Sequence, residues 1–423
     1  MTQSAPSKLT ILPTTAALTG RVMPPGSKSI TNRALLVAAL AKGTSRLSGA
    51  LKSDDTRYMA QALRDMGVAI DEPDATSFIV TSDGRLKAPA KPLFLGNAGT
   101  ATRFLTAAAA LVDGTVVVDG DEHMRKRPIL PLVEALTRLG VAISAPSGCP
   151  PVTIKGQGGF DGGSVEVDGG LSSQYVSALL MAGACARNPV DVVLTGQEIG
   201  ARGYVDLTLA TMRAFGAAVS EPASGGWRIA PTGYVATDYL IEPDASAATY
   251  LWAAEVLTGG AIDLGVPASA FTQPDARAHE LIAAFPNLPA EIDGSQMQDA
   301  VPTLAVLAAF NRKPVRFTGI ANLRVKECDR VAALAQGLSR IRPGLGIEEG
   351  DDLLVASDPA LAGQTLPAEI DTFADHRIAM SFALAGLKIG GVTILDPACV
   401  AKTYPDYWRA LGSLGVRFED KAP

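Results

Sequence analysis

Six stretches of this chain combine a turn of small and polar residues with a following helix that has almost no polar face. That recurrence constrains the fold more than anything else in the sequence. The first runs Pro25-Gly26-Ser27-Lys28-Ser29-Ile30-Thr31-Asn32-Arg33 into the apolar segment Ala34 to Ala41. The others begin at Gly96-Asn97-Ala98-Gly99-Thr100, Leu171-Ser172-Ser173-Gln174, Asp244-Ala245-Ser246, Gln298-Asp299-Ala300 and Ala374-Asp375-His376-Arg377. A helix without a solvent face has to be buried. Its N-terminus then offers free backbone N–H groups and the positive end of the helix dipole, which suit a phosphate or a carboxylate.

Each buried helix is followed by one of a different kind. Met59, Leu63 and Met66 share a face, as do Leu132, Leu136 and Leu139, then Val205, Leu209 and Met212, with charged residues opposite. The later partners are predicted at Leu281 to Phe285, Val331 to Ile341 and Tyr407 to Leu414. Gly67, Gly140, Gly216 and Gly415 stand where these helices should close before a strand. A period of about 73 residues is too long for the common solenoids. The chain therefore reads as α/β, a repeated subdomain of one buried helix, one surface helix and short strands. Six such units make two three-unit domains, predicted as residues 21–240 and residues 1–20 plus 241–423. The fourth unit is short and lacks a hairpin after Phe285. Leu9-Thr10-Ile11-Leu12 reads as a strand that completes the second domain.

A chain of 423 residues is also too long for one ordinary core. Its net charge of −6 leaves no basic surplus for a nucleic-acid surface. The four cysteines, Cys149, Cys185, Cys328 and Cys399, lie at neither metal nor redox spacing, which fits a cytoplasmic protein. No apolar run reaches membrane-spanning length, and no targeting pattern stands at the N-terminus. With only three histidines, acid–base work falls to Lys, Glu and Asp.

The turns carry Lys28, Arg33, Arg103, Arg125, Lys126, Arg127, Arg324, Lys326, Arg330, Arg377 and Lys402. If the helix starts gather on one surface, these form a local cationic patch for a small polyanion. Gly26-Ser27-Lys28-Ser29 lacks the glycine spacing of a P-loop, which argues against a nucleotide kinase. Glu327 and Arg330 are three apart and share a helix face, suiting either an ion pair or a base held by cations.

Eight segments together resemble the enolpyruvyl transferases, and within them the branch that acts on shikimate 3-phosphate. They are Pro25–Leu35 (PGSKSITNRAL), Gly96–Arg103 (GNAGTATR), Met124–Pro128 (MRKRP), Ser172–Tyr175 (SSQY), Asp244–Tyr250 (DASAATY), Arg324–Arg330 (RVKECDR), Asp375–Met380 (DHRIAM) and Ala401–Trp408 (AKTYPDYW). The resemblance implies two domains of three βαβαββ units, an inside-out α/β barrel with parallel buried helices, and an active site in the interdomain cleft. It implies transfer of the enolpyruvyl group of phosphoenolpyruvate to the 5-hydroxyl of shikimate 3-phosphate, with phosphate released, by a monomer using neither metal nor organic cofactor. Phosphoenolpyruvate contacts are then Lys28, Gly99, Arg127, Gln174, Arg330, Arg377 and Lys402. Shikimate 3-phosphate contacts are Lys28, Ser29, Arg33, Ser172, Ser173, Gln174, Tyr204, Asp299, Asn322 and Lys326. Glu327, Lys28 and Asp299 carry the proton transfers, and the roles of Lys28 and Glu327 are interchangeable at this stage.

Three departures stand out. Ala201-Arg202-Gly203-Tyr204 replaces the family's Ser-x-Pro-Tyr and loses a phosphate-binding serine, for which Arg202 is a candidate substitute. Phe104 stands where a proline commonly follows the arginine, which could shift Gly99 and Thr100. The short fourth unit is the third. One rival is the sister enzyme acting on UDP-N-acetylglucosamine, which usually carries a cysteine in the loop that here runs Val118 to Pro128 without one. The other is a non-catalytic paralogue that only binds an anion.

Overall fold

A computed structural model describes residues 8–168, 172–196, 201–223 and 225–421; Leu171, at the start of the third repeat, lies outside them. Contacts divide the chain into two compact units, Gly26–Glu242 on one hand and Met1–Pro25 with Pro243–Pro423 on the other. The first contains α1 (Lys28–Leu40), α2 (Asp54–Asp65), α3 (Gly99–Ala108), α4 (Leu130–Arg138), α5 (Ser173–Gly183) and α6 (Arg202–Ala214). The second contains α7 (Ala245–Thr258), α8 (Ala278–Ala283), α9 (Val301–Ala308), α10 (Arg330–Ile341), α11 (His376–Gly386) and α12 (Tyr407–Ser413). None of the described helices is long and apolar enough to cross a membrane.

Odd-numbered helices are buried almost all round, as apolar sequences without a polar face require. Every residue of α3, α9 and α11 is buried, α1 exposes part of Ser29, and α5 part of Gln174. Even-numbered helices bury one stripe: Met59 and Leu63 in α2, Leu132 and Leu136 in α4, Val205, Leu209 and Met212 in α6. Glycines in the left-handed region, Gly67, Gly140, Gly216 and Gly415, follow α2, α4, α6 and α12. Each unit has its own core.

Two helix expectations shift. Ala41 opens the strand Ala41–Ser48 instead of ending α1. The fourth surface helix is α8, earlier than the expected Leu281 to Phe285. Pro286 disfavours helical geometry at Phe285, the helix closes at Ala284, and Ala278 and Ile282 face inward.

Each repeat contributes one sheet, and five of the six share one plan. The strand before the buried helix pairs parallel with the strand after it, and a hairpin adds two antiparallel strands. Gly163–Asp168, Val190–Thr195, Trp227–Ile229 and Val219–Ser220 are in that order. In the last repeat β1 (Lys8–Leu12) takes the third place, antiparallel to both Gly390–Leu395 and Arg417–Lys421. In the fourth repeat only β2 (Thr19–Arg21) and Ala261–Asp263 pair among the described residues, in keeping with the hairpin absent from the sequence. The two crossing segments also exchange partners. β2 precedes α1 in the chain but pairs in the fourth repeat, while Tyr234–Val235 and Tyr239–Leu240 pair with Ala41–Ser48 of the first. That exchange puts the divide after Pro25 and Glu242, a few residues beyond the positions expected from the repeats.

The close fit of α11 on β1 depends on Gly386, where an added Cβ would overlap the side chain of Ile11. Ile11 is fully buried in a central strand and has no room to yield. We expect Gly386→Ala to lower unfolding stability by ~1–3 kcal/mol, the usual range for overpacking, in urea titration followed by circular dichroism. An unchanged midpoint would show that this helix and strand are not held so closely.

Candidate active site

In Gly26–Glu242 the helix starts are capped by neutral groups. Ser27 accepts from the Ile30 N–H of α1 at 3.4 Å, Ser172 from the Gln174 N–H of α5 at 3.3 Å, and α3 begins after Ala98 with no side-chain cap. Lys28, the first residue of α1, is buried with its Nζ 3.4 Å from Asp55 Oδ2, itself buried in the first turn of α2. Asp55 was not singled out from sequence. The signal available was an acidic pair behind Ser53 at a helix start.

Arg127 is the one cation of the Met124–Pro128 segment that turns inward. Arg125 pairs with Asp119 at 2.6 Å and holds that carboxyl below its usual range, and Lys126 is exposed. Arg127 is 6% exposed, and its Nη1 donates to Asn97 Oδ1 at 3.0 Å. A Cβ on Gly99 would lie 2.5 Å from Arg127 Nη2, so the glycine lets the guanidinium rest against the first turn of α3. The amide of Gln174 donates to Thr100 Oγ1 at 3.4 Å, joining the starts of α3 and α5. Ser173 is buried, and Ser29, Ser172 and Tyr204 are half-buried.

Arg33 behaves differently from the expectation. It is 2% exposed and donates to Thr208 Oγ1 at 2.7 Å, the Ser29 carbonyl at 2.8 Å, the Tyr204 carbonyl at 2.9 Å and Ser177 Oγ at 3.4 Å. Its guanidinium lies 5.2 Å from the centre of the Phe104 ring, and burial pulls its pKa down to about 10. In this structure it ties α1 to α5 and α6, and Phe104 supports it. Arg103 is likewise turned into the fold, donating to the Gly99 and Pro128 carbonyls. Arg202 does not stand in for the missing serine: it pairs with Glu221 at 2.6 Å and covers the Trp227 ring. Ala201 precedes α6 at a positive φ of 58°.

In the other unit the helix starts carry carboxylates. Asp244 accepts from Ala247 N–H of α7 at 2.9 Å, and Asp375 from Arg377 N–H of α11 at 2.8 Å. Asp275, fully buried, accepts from Ala300 N–H beside α9 and from Ser246 Oγ, both at 3.0 Å. The chain's own anions therefore occupy helix starts that were expected to be open to a ligand.

Arg330 sits among three more acidic contacts. It is 1% exposed; Nε donates to Asp375 Oδ2 at 2.7 Å, Nη1 to Asp299 Oδ1 at 3.0 Å and Nη2 to Glu327 Oε2 at 2.7 Å. Arg377 Nη2 holds Asp299 Oδ2 at 2.7 Å, and Lys402 Nζ is 3.1 Å from Glu327 Oε1. Burial alone would lower the pKa of Arg330, but Asp375, Glu327 and Asp299 more than reverse that and raise it. These six side chains, three of each sign, sum to no charge. The expected cationic patch is here a neutral network.

Arg324 faces a separate acidic group, Asp329 at 2.8 Å, Asp351 at 2.9 Å and Glu348 at 3.0 Å, and is not part of that network. Asn322 and Lys326 are half-buried in the turn before Glu327. Tyr250, also missed from sequence, meets Arg377 Nη1 at 3.5 Å. Among the described residues no group of three His, Cys, Asp or Glu side chains could hold a metal ion.

Such a network suits a small anion carrying a carboxylate, since Arg330 and Arg377 have planar donors and both acids are positioned for proton transfer. Comparison with known proteins agrees. Residues 12–411 match the family model described as EPSP synthase (3-phosphoshikimate 1-carboxyvinyltransferase). A 3-phosphoshikimate 1-carboxyvinyltransferase of Rhizobium etli (strain ATCC 51251 / DSM 11541 / JCM 21823 / NBRC 15573 / CFN 42) is 73% identical over 421 residues, covering 100% of both chains. One of Pseudomonas syringae pv. syringae (strain B728a) is 72% identical over 408 residues, 96% of this chain and 98% of the relative. EPSP synthase from Acinetobacter baumannii superposes with a TM-score of 0.78 at 27% identity, covering 97% of this chain and 99% of that one. The enolpyruvyl transferase NikO from Streptomyces tendae shares the fold, with a TM-score of 0.71 at 18% identity and 99% and 100% coverage. The chain belongs to the EPSP synthase (3-phosphoshikimate 1-carboxyvinyltransferase) family.

Proposed function

We infer that this chain transfers the enolpyruvyl group of phosphoenolpyruvate to the 5-hydroxyl of shikimate 3-phosphate and releases phosphate. The observation that carries the reading is the pairing of two acids, Asp299 and Glu327, with Arg330, Arg377 and Lys402. That arrangement supplies both an anion site and the groups for moving protons. The reading needs the two compact units to act on one substrate pair in a shared cleft. Lys28, Gly99, Arg127 and Gln174 from one unit then hold phosphoenolpyruvate with Arg330, Arg377 and Lys402 from the other. Ser29, Ser172, Ser173 and Tyr204, together with Lys28 and Gln174, hold shikimate 3-phosphate with Asp299, Asn322 and Lys326. Arg33 contributes by fixing the Ser29 and Tyr204 backbone.

In the addition step the 5-oxygen bonds to C2 of phosphoenolpyruvate. Asp299 takes the hydroxyl proton, and protonated Glu327 gives a proton to the methylene carbon. In the elimination step Glu327 takes a proton back from the resulting methyl group, the double bond re-forms, and the C2–O bond to phosphate breaks. Arg and Lys donors stabilise the departing phosphate. Lys28 lies on Asp55, and an exchange of its role with Glu327 is a matter for experiment.

The direct assay is phosphate release with phosphoenolpyruvate and either shikimate 3-phosphate or UDP-N-acetylglucosamine. Release with the first acceptor alone is expected; release with the second alone, or with neither, refutes the reading. Glu327→Gln should lower kcat by at least ~10²-fold, the low end for a positioned acid or base, with little change in substrate binding. Near-normal turnover would move the carbon-directed role to Lys28. Arg127→Ala should weaken phosphoenolpyruvate binding by roughly 1.5–3 kcal/mol, as for a lost charge-assisted hydrogen bond. Gly99→Ala should act in the same direction by displacing Arg127. Calorimetry in the presence of shikimate 3-phosphate checks both, and unaltered binding in Arg127→Ala would exclude that contact.

A further inference from the structure

Arg330 presents two kinds of edge. Its Nε edge meets Asp375, whose Oδ2 lies 2.7 Å from Nε and whose Oδ1 lies 3.3 Å from Nη2. Its two Nη ends form a fork that matches a carboxylate, and in this structure the fork is filled by single oxygens of Asp299 and Glu327. These two side chains are 18% and 7% exposed, whereas Asp375 is at 0%.

We propose that Asp375 is a positioning residue, the fixed counter-ion that holds Arg330 while a substrate carboxylate replaces Asp299 and Glu327 on the fork. This rests on the reading that Arg330 receives phosphoenolpyruvate. Three features carry it. Asp375 cannot leave without uncapping α11, because its Oδ1 also accepts from Arg377 N–H at 2.8 Å. Asp299 and Glu327 can each be displaced without being stranded, since Arg377 and Lys402 hold their other oxygens at 2.7 and 3.1 Å. A guanidinium 1% exposed needs one permanent partner through the exchange, because a buried charge left alone is strongly disfavoured. Displacement also frees the two acids from Arg330 at the moment the substrate arrives, which is when they are needed.

The test is Asp375→Asn. Asparagine caps a helix about as well as aspartate, so α11 keeps its start if the amide oxygen takes the place of Oδ1. The amide nitrogen then faces Arg330 Nε, donor against donor, and unseats the guanidinium. The KM for phosphoenolpyruvate should rise roughly 10- to 100-fold, the range for a lost charge-assisted hydrogen bond, while the KM for shikimate 3-phosphate stays within about twofold. Asp375→Ser, which caps through a hydroxyl too short to reach Arg330, should give the same split and serves if the asparagine variant does not fold. In an Arg330→Lys background either substitution should add almost nothing, because residues acting through one another are non-additive. A purely structural role would instead affect both KM values or add in full to Arg330→Lys. If Arg330→Lys raises the KM for phosphoenolpyruvate and neither Asp375 variant does, Asp375 does not position Arg330. If Arg330→Lys leaves that KM unchanged, the reading of Arg330 as the substrate contact fails and takes the inference with it.

Discussion

A guanidinium removed from water has to take its counter-charge along, and Arg330 does so three times over. Asp299, Glu327 and Asp375 come from three different places in the chain: the turn before α9, the turn before α10 and the start of α11. They converge because α9, α10 and α11 pack on one another. The fold of the Pro243–Pro423 segment and the chemistry of its site are thus one arrangement. Each of the three acids neutralises a buried cation, and each lies at the start of a helix that the repeat pattern places inside.

The two compact units differ in how their helix starts are satisfied. In Gly26–Glu242 serine hydroxyls serve α1 and α5, and α3 has no side-chain cap, which leaves the positive ends of those dipoles without a formal negative charge on their caps. In the other unit Asp244, Asp275 and Asp375 supply that charge from within the chain. An anion meeting the first group adds the charge that is missing, whereas an anion meeting the second has to displace one already present. The difference suits a reaction in which one set of residues binds and the other both binds and moves protons.

Much of this architecture was legible in the sequence because it is local. Helices such as Ala34–Leu40 and Val301–Ala308 show no polar face, so their burial follows from composition alone, and glycines such as Gly67 and Gly140 mark where their surface partners end. The absence of a hairpin after Phe285 was visible as missing residues. What was not legible depends on partners far apart in the chain. Nothing near Lys28 points to Asp55, nothing near Arg377 points to Tyr250, and Arg33 looks like a ligand contact until Thr208, Ser177 and the Tyr204 carbonyl are found around it. The neutrality of the Arg330 network escaped for the same reason. Counting the cations of the turns was straightforward, but their pairing is a property of the packed helices. The divide between the units moved because β2 pairs with Ala261–Asp263, a contact across more than half the chain.

The central claim is that substrates replace the protein's own carboxylates on Arg330 while Asp375 stays in place. A crystal structure with shikimate 3-phosphate and a non-reactive carboxylate-bearing analogue of phosphoenolpyruvate tests it most directly. The account predicts that the Arg330 Nε to Asp375 contact is retained near 2.7 Å. It also predicts that the ligand carboxylate lies on Nη1 and Nη2, with Asp299 and Glu327 withdrawn towards Arg377 and Lys402. A bound analogue with Asp299 and Glu327 still on the fork and its carboxylate held elsewhere would contradict it.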